Sequence, residues 1–159
     1  MFRRRPDKLP LLAYQRVLVP LAGNEADDSA LRLATLLLAG TEGEASLLQV
    51  IEVSFDRELD AEDPQAVSYA DEVLERGEAF LTAHEVHSRT GVVQARAAGA
   101  AIVDEAVEWG ADLIIMGLRY KKRFGGAWDA GRTVPYVMRN STAPVWCLRV
   151  ETEDLARTP

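Results

Sequence analysis

Residues 112–133 read DLIIMGLRYKKRFGGAWDAGRT, and this stretch decides the fold. Its first part, 113–116, is a short apolar run ending at Gly117, which predicts a strand buried on both faces, as in helix-covered parallel sheets. The loop that follows carries glycines and a dense group of cations, and 131–133 then begins a predicted helix. A strand, a glycine-bearing loop and a helix N-terminus often bind phosphate, because free N–H groups and the helix dipole converge on the anion. If the chain has a small-molecule site, the sequence predicts that it lies here.

Hydrophobic periodicity along the rest of the chain alternates between strands and helices. The predicted strands are 16–21, 45–51, 91–97, 113–116 and 144–150. The first predicted helix begins near Asn24 and stops at Gly40, and the other three cover about 65–87, 100–109 and 133–140. The alternation is typical of an α/β protein and predicts a single doubly wound open sheet of five parallel strands with helices on both faces. One domain, 15–150, contains all of these elements, and 1–14 and 151–159 are expected to be tails.

Two strand ends are predicted to form the ligand crevice. In open α/β sheets, ligands bind at the carboxyl ends of the strands, where the strand order reverses. The first strand ends at 20–23 and the fourth ends at Met116 and Gly117. These ends, together with the helix that begins near Thr133, are expected to line the site.

Composition restricts the classes of protein that the chain can belong to. The 159 residues are 48% hydrophobic and 27% charged, which suits one globular domain. Cys147 is the only cysteine, so the chain has no internal disulfide framework, and no apolar run approaches the roughly 18 residues of a membrane span. The N-terminus has no signal-peptide character, so a cytoplasmic protein is expected.

Charge is distributed unevenly along the chain. The net charge of −7 argues against nucleic-acid binding, yet 117–139 contains six cations against Asp129 alone. These cations include Arg119, Lys121, Lys122, Arg123 and Arg132. They form either an anion site or a solvated, subunit-facing edge, and the sequence leaves both interpretations open.

No motif indicates catalysis or a metal. His84 and His87 form HExH, which lacks the HExxH spacing that places two ligands one helical turn apart, so both are assigned to the end of the second helix. The chain has no GxGxxG, GxxxxGK[ST] or GxSxG motif. We therefore predict no catalytic residue and no metal ligand. Trp128 is interpreted as a packing residue, with stacking on a base as the alternative.

The chain resembles the universal stress protein family from Arg16 to Arg149. The resemblance is carried by RVLVPLAGNEADDSALRLA at 16–34, GADLIIMG at 110–117, GRTVPYVMR at 131–139 and APVWCLR at 143–149. It implies the fold described above, which is also called adenine-nucleotide alpha hydrolase-like. It further implies a homodimer formed by antiparallel pairing of the last strand, from Pro144 to Val150, with its mate.

ATP-binding members of the family share G-x-x-G, nine residues, then glycine followed by serine or threonine. They also carry an aspartate at the end of the first strand. Here Gly117 and Gly131 are present, but Tyr120 replaces the second glycine and Arg132 precedes Thr133. Ala22 stands where the aspartate is expected, so a charged acceptor for the sugar hydroxyls, worth about 1.5–3 kcal/mol, is missing. The resemblance therefore implies weak binding of ATP or another adenine nucleotide.

The candidate nucleotide or anion site combines the crevice, the basic loop and these motif positions. Its predicted members are Pro20, Leu21, Ala22, Val50, Met116, Gly117, Arg119, Tyr120, Gly131, Arg132 and Thr133. Two functions remain open: a regulatory module whose remodelled pocket binds a nucleotide or another phosphate-bearing anion weakly, and a homodimeric interaction module whose pocket has decayed. Slow ATP turnover is a third possible function, which only the family resemblance implies. An unknown protein partner is compatible with either module.

Overall fold

The computed structural model describes residues 13–119, 121–122 and 128–150. The four helices of this part are α1 (Ala26–Leu38), α2 (Pro64–Ala83), α3 (Ala98–Trp109) and α4 (Thr133–Asn140). The strands are β1 (Arg16–Pro20), β2 (Glu44–Glu52), β3 (His87–Ala95), β4 (Leu113–Arg119), β5 (Lys121–Lys122), β6 (Trp128–Asp129) and β7 (Val145–Val150). Of the expected tails, 1–14 and 151–159, the described residues include only 13 and 14.

Five strands form one parallel sheet in the order β3-β2-β1-β4-β7. The helices cover both faces, which confirms the predicted doubly wound α/β fold. One core contains β1 side chains such as Val17 and Val19 together with α1 and α2, including Leu31 and Leu74. The opposite core contains Leu18 with α3 and α4. Strand order reverses on either side of β1, since β2 and β3 lie on one side and β4 and β7 on the other.

The central strand is shorter than its two neighbours at the carboxyl end. Pro20, the last residue of β1, lies opposite Leu48, so β2 continues through Gln49–Glu52 beyond it. On the other side Leu18 lies opposite Ile114, and β4 continues to Arg119. The result is a notch one strand wide, with β2 and β4 as its walls. Two interstrand spacings separate these walls, about 9.5 Å.

The second helix ends four residues earlier than predicted, and His87 opens β3 rather than closing α2. The stop is a Schellman motif, because Val86 N–H donates to the Leu81 carbonyl and Glu85 N–H to the Thr82 carbonyl, each at 3.0 Å. Glu85 adopts the left-handed conformation there (φ 57°), where glycine is usual. A glutamate gives no local sign of this conformation, so periodicity alone extended the helix too far.

Other boundaries also differ from the predictions. The third strand begins at His87 instead of 91, and β4 runs three residues beyond Met116. The predicted loop between β4 and α4 contains a small antiparallel pair, β5 with β6. The last helix, 133–140, is confirmed as predicted.

Candidate functional site

The notch opens into a cavity of about 490 Å³, a size typical of small-molecule sites. Its floor is the end of β1, its walls are the extensions of β2 and β4, and the first turns of α2, α3 and α4 surround its mouth. Its lining residues include Pro20, Leu21, Ala22, Asn24, Val50, Glu52, Ala66, Tyr69, Ala98, Met116, Gly117, Arg119, Gly131, Arg132 and Thr133.

The structure brings together the candidates that sequence reasoning selected. Ten of the eleven predicted residues line this cavity, and the eleventh, Tyr120, lies outside the described residues. Their binding role stays a prediction. Arg123 also lies outside the described part, as does the side chain of Trp128, for which base stacking was the alternative.

Glu52 and Tyr69 are two of the lining residues that were not predicted. The second strand was predicted to stop at 51, but β2 extends far enough to place Glu52 on the cavity wall. Tyr69 lies on α2 and reaches across to the β1–α1 loop, where its hydroxyl donates to the Gly23 carbonyl at 3.1 Å. A carboxylate directly after a buried strand was a usable signal for Glu52. Tyr69 had no such signal, because helical periodicity marks only the residues that face the core.

A buried carboxylate organises the loop at the floor of the notch. Asp27 accepts hydrogen bonds from the N–H groups of Ala22 (2.9 Å), Gly23 (2.7 Å) and Asn24 (3.2 Å). Burial raises the pKa of Asp27, and these three amides oppose the rise. The first helix was predicted to begin near Asn24. The N-cap position is instead Glu25, while the Asn24 side chain accepts from Ala26 N–H at 2.9 Å.

Asp27 does not restore the carboxylate that the end of β1 lacks. Its oxygens bind loop amides, and it lines a second, acidic depression rather than the notch. Ala22, at the floor, is exposed and uncharged. The floor of the notch therefore has no charge of its own.

Gly117 has a packing role at the wall formed by β4. A Cβ at this position would lie 2.6 Å from the carbonyl carbon of Ala26 and closer still to the carbonyl oxygen. Since Ala26 begins α1, the absence of a side chain lets the first turn of α1 approach β4 closely. The resemblance places Gly117 in the nucleotide-binding motif, and its observed neighbour is protein backbone.

Cations lie on the β4 and α4 side of the cavity. Arg119 Nε is 3.1 Å from Glu25 Oε1, an ion pair in which both side chains are more than 40% exposed. Such exposed pairs contribute at most about 1 kcal/mol, so a stronger anion could displace Glu25. Arg132 occupies the N-cap position of α4 without a side-chain capping bond, and its side chain is exposed.

Glu52 lies on the β2 wall of the cavity. Its Oε1 accepts a 2.8 Å hydrogen bond from the N–H of Ala98, the first residue of α3. Ala97, at the N-cap position, has no side chain that can cap the helix. The only acid among the described lining residues is thus fixed at one oxygen.

The charges of the cavity are therefore segregated. An acid lies on the β2 and α3 wall, cations lie on the β4 and α4 side, and the floor is neutral. Within the described ranges, no group of three or more histidine, cysteine, aspartate or glutamate side chains could hold a metal ion. None of the helices described is long and apolar enough to cross a membrane.

A doubly wound parallel sheet with a cavity at its switch point defines a class of α/β proteins that bind ligands at their strand ends. A sequence profile of the universal stress protein family matches residues 13–149. The chain therefore belongs to the universal stress protein family, which confirms the resemblance found in its sequence. Among curated proteins, none matches it significantly.

Solved structures of the family are similar to this chain. The universal stress protein from Archaeoglobus fulgidus in complex with dAMP has a TM-score of 0.66 at 17% identity, covering 86% of this chain and 98% of that one. A family protein from Arabidopsis thaliana with AMP bound has a TM-score of 0.63 at 13% identity, covering 91% of this chain and 96% of that one. A universal stress protein in complex with cAMP has a TM-score of 0.60 at 22% identity, covering 86% of this chain and 98% of that one. At these identities the similarity establishes the fold alone.

Proposed function

We propose that the chain is a regulatory module that binds an adenine nucleotide, or another phosphate-bearing ligand, weakly in the notch. The observation that carries this proposal is the cavity at the strand-order reversal, with cations and the α4 N-terminus on one side. Three family structures contain dAMP, AMP or cAMP, which supports an adenine nucleotide as the ligand.

The segregated charges suggest how the ligand lies. The phosphate belongs beside Arg132 and Thr133, where N–H groups at the start of α4 and a guanidinium favour an anion. The base then lies over the neutral floor, near the Tyr69 ring. Affinity is weak because Ala22 offers no charged acceptor and Arg119 must first leave Glu25.

Calorimetry with AMP, ADP and ATP tests this proposal. We expect dissociation constants in the high micromolar range, since one lost charge-assisted hydrogen bond already weakens binding about tenfold. Arg132→Ala should weaken AMP binding about tenfold. Arg139→Ala is the matched control, because it removes the same charge at the other end of the same helix and should change the affinity little.

Salt adds an independent measurement. Binding should weaken with ionic strength, because exposed charges are screened over about 10 Å at 0.1 M salt. Equal losses for Arg132→Ala and Arg139→Ala would indicate a diffuse field and no phosphate site. Nanomolar affinity would contradict the prediction of weak binding. If no adenine nucleotide binds at all, the proposal is overturned.

A second function is favoured by a different observation. Strand β7 is an edge strand, paired on one side with β4, and edge strands offer unpaired backbone groups to a second chain. If no nucleotide binds, the proposed function becomes a homodimeric interaction module that uses this edge.

A further inference from the structure

We propose that Glu52 is the acceptor for the sugar hydroxyl groups of the bound nucleoside. This inference rests on the proposed function, and it assigns the part of the ligand that the missing carboxylate at Ala22 leaves without a charged partner. The class of ligand that it selects is a ribonucleoside or ribonucleotide, in preference to one without sugar hydroxyls.

The register of the sheet places Glu52 on the cavity wall. Because β1 ends at Pro20, opposite Leu48, the last four residues of β2 project past the floor of the notch. Glu52 is the last of these four, is exposed and lines the cavity. Its carboxylate therefore lies on the wall that faces the β4 extension.

The hydrogen bond to α3 holds this carboxylate in place. Glu52 Oε1 accepts from Ala98 N–H across 46 residues of sequence. A carboxylate accepts about four hydrogen bonds, so this bond leaves capacity for two neighbouring hydroxyl groups. Fixing one oxygen also lowers the side-chain entropy that a ligand would otherwise have to remove.

Charge segregation agrees with the same assignment. Arg132 and the α4 N-terminus follow β4 in the chain, whereas Glu52 ends β2 and binds the start of α3, so the phosphate and the sugar hydroxyls would have different partners. A ribose carries its hydroxyls and its 5′ substituent at different ring carbons. Acidic side chains near the carboxyl end of a strand bind ribose hydroxyls in other doubly wound folds.

Capping of α3 alone would also explain why Glu52 is present, so the experiment separates capping from ligand binding. Glu52→Gln keeps an oxygen that can accept from Ala98 N–H but removes the charge. Glu52→Ala removes both the cap and the acceptor. Glu58→Gln is the matched control, because Glu58 is an exposed acid of the following loop and does not line the cavity.

The probes are adenosine and 2′,3′-dideoxyadenosine, measured by NMR titration with the full chain and each variant. Both ligands are uncharged, so removing a negative charge does not change their attraction to the protein as it would for AMP. We expect the wild type and Glu58→Gln to bind adenosine about tenfold more tightly than the dideoxy compound. Glu52→Gln should reduce this ratio to a few-fold, and Glu52→Ala should bring it to about one.

Each result bears on the inference in a defined way. A wild type that binds both nucleosides equally would overturn it and leave the proposed function standing. A ratio that persists in Glu52→Gln and Glu52→Ala would place the hydroxyl contact elsewhere and overturn it as well. If neither nucleoside nor any adenine nucleotide binds the wild type, the proposed function fails and the inference fails with it.

Discussion

At the scale of single residues, the β1–α1 loop depends on a carboxylate that the sequence presents as an ordinary helix-start acid. Asp27 accepts from three consecutive loop amides and is buried, whereas its neighbour Asp28 is exposed. Removing the Asp27 acceptor leaves those three N–H groups to be satisfied by water or not at all. The position of the notch floor therefore depends on one side chain that lies outside the notch.

Asp27→Ala should lower the free energy of unfolding by about 1–3 kcal/mol at pH 7, measured by urea denaturation. Asp28→Ala is the control, and it should cost at most about 1 kcal/mol through the α1 dipole. Equal losses for the two variants would mean that the loop amides do not depend on Asp27.

The pH dependence of this difference has a definite sign. Burial raises the pKa of Asp27 above its ordinary value of 3.8, so the folded protein holds this proton to higher pH than the unfolded chain does. Its contribution to stability is therefore greatest below 3.8 and falls as pH rises through the raised value. The difference in the free energy of unfolding between the wild type and Asp27→Ala should therefore become smaller as pH rises from 3.8 towards neutrality. A gap that widens would show that the amides outweigh burial.

At the scale of elements, the close approach of α1 to β4 explains one of the motif glycines. Helix α1 packs on the sheet with Ala26 against Gly117, and a side chain there would collide with backbone, which cannot rotate away. The same contact sets where the first turn of α1 lies relative to the notch. A glycine that a binding motif would explain thus has a packing explanation as well.

Gly117→Ala should destabilise the fold by about 1–3 kcal/mol, because α1 must shift to admit the methyl group. Gly91→Ala, in β3, is the matched control, since its Cβ would meet only Leu48 Cδ1 at 3.9 Å, an ordinary contact. Thermal unfolding of the two variants gives the comparison. If Gly117→Ala proves as stable as Gly91→Ala, the close approach is not a constraint on the fold.

At the scale of the whole molecule, β3 and β7 are the edge strands of the main sheet in the part of the chain that the structure describes. Strand β7 packs on both cores through half-buried side chains, and Trp146 meets the Tyr14 ring edge-on at 5.4 Å. Ile114 N–H donates to the Pro144 carbonyl, so in the alternating pattern of a strand Val145 and Cys147 direct their N–H groups to the free edge. A second copy paired there would satisfy them.

We expect sedimentation to show a homodimer at micromolar concentration. Hydrogen exchange at the Val145 and Cys147 amides should slow as protein concentration rises. The internal control is β3, where Val53 N–H donates to the Ala95 carbonyl and the amides of Thr90 and Val92 therefore face the other edge. Those amides should exchange quickly at every concentration. A monomer by sedimentation would contradict the dimer, and slow exchange at Thr90 and Val92 would move the interface to β3.

Much of the candidate site could be predicted because strand ends are local features. Pro20, Met116 and Gly117 follow from where apolar runs stop, and the rule for open sheets brings such ends together. Glu52 and Tyr69 could not be assigned in this way. Whether Glu52 ends a strand or begins a loop depends on its pairing with Ala95 of β3, and Tyr69 reaches Gly23 across 46 residues of sequence.

The sequence by itself determined the fold class, the order of the elements and the family, because alternating periodicity and short apolar runs are encoded by neighbouring residues. Only the tertiary structure decided the register, which leaves β1 shorter than β2 and β4 and so creates the notch. It also decided that Asp27 binds its own loop and that Glu52 lies beside Ala98. These contacts join segments that are brought together by packing, and no local pattern records where a side chain of one segment will meet the backbone of another.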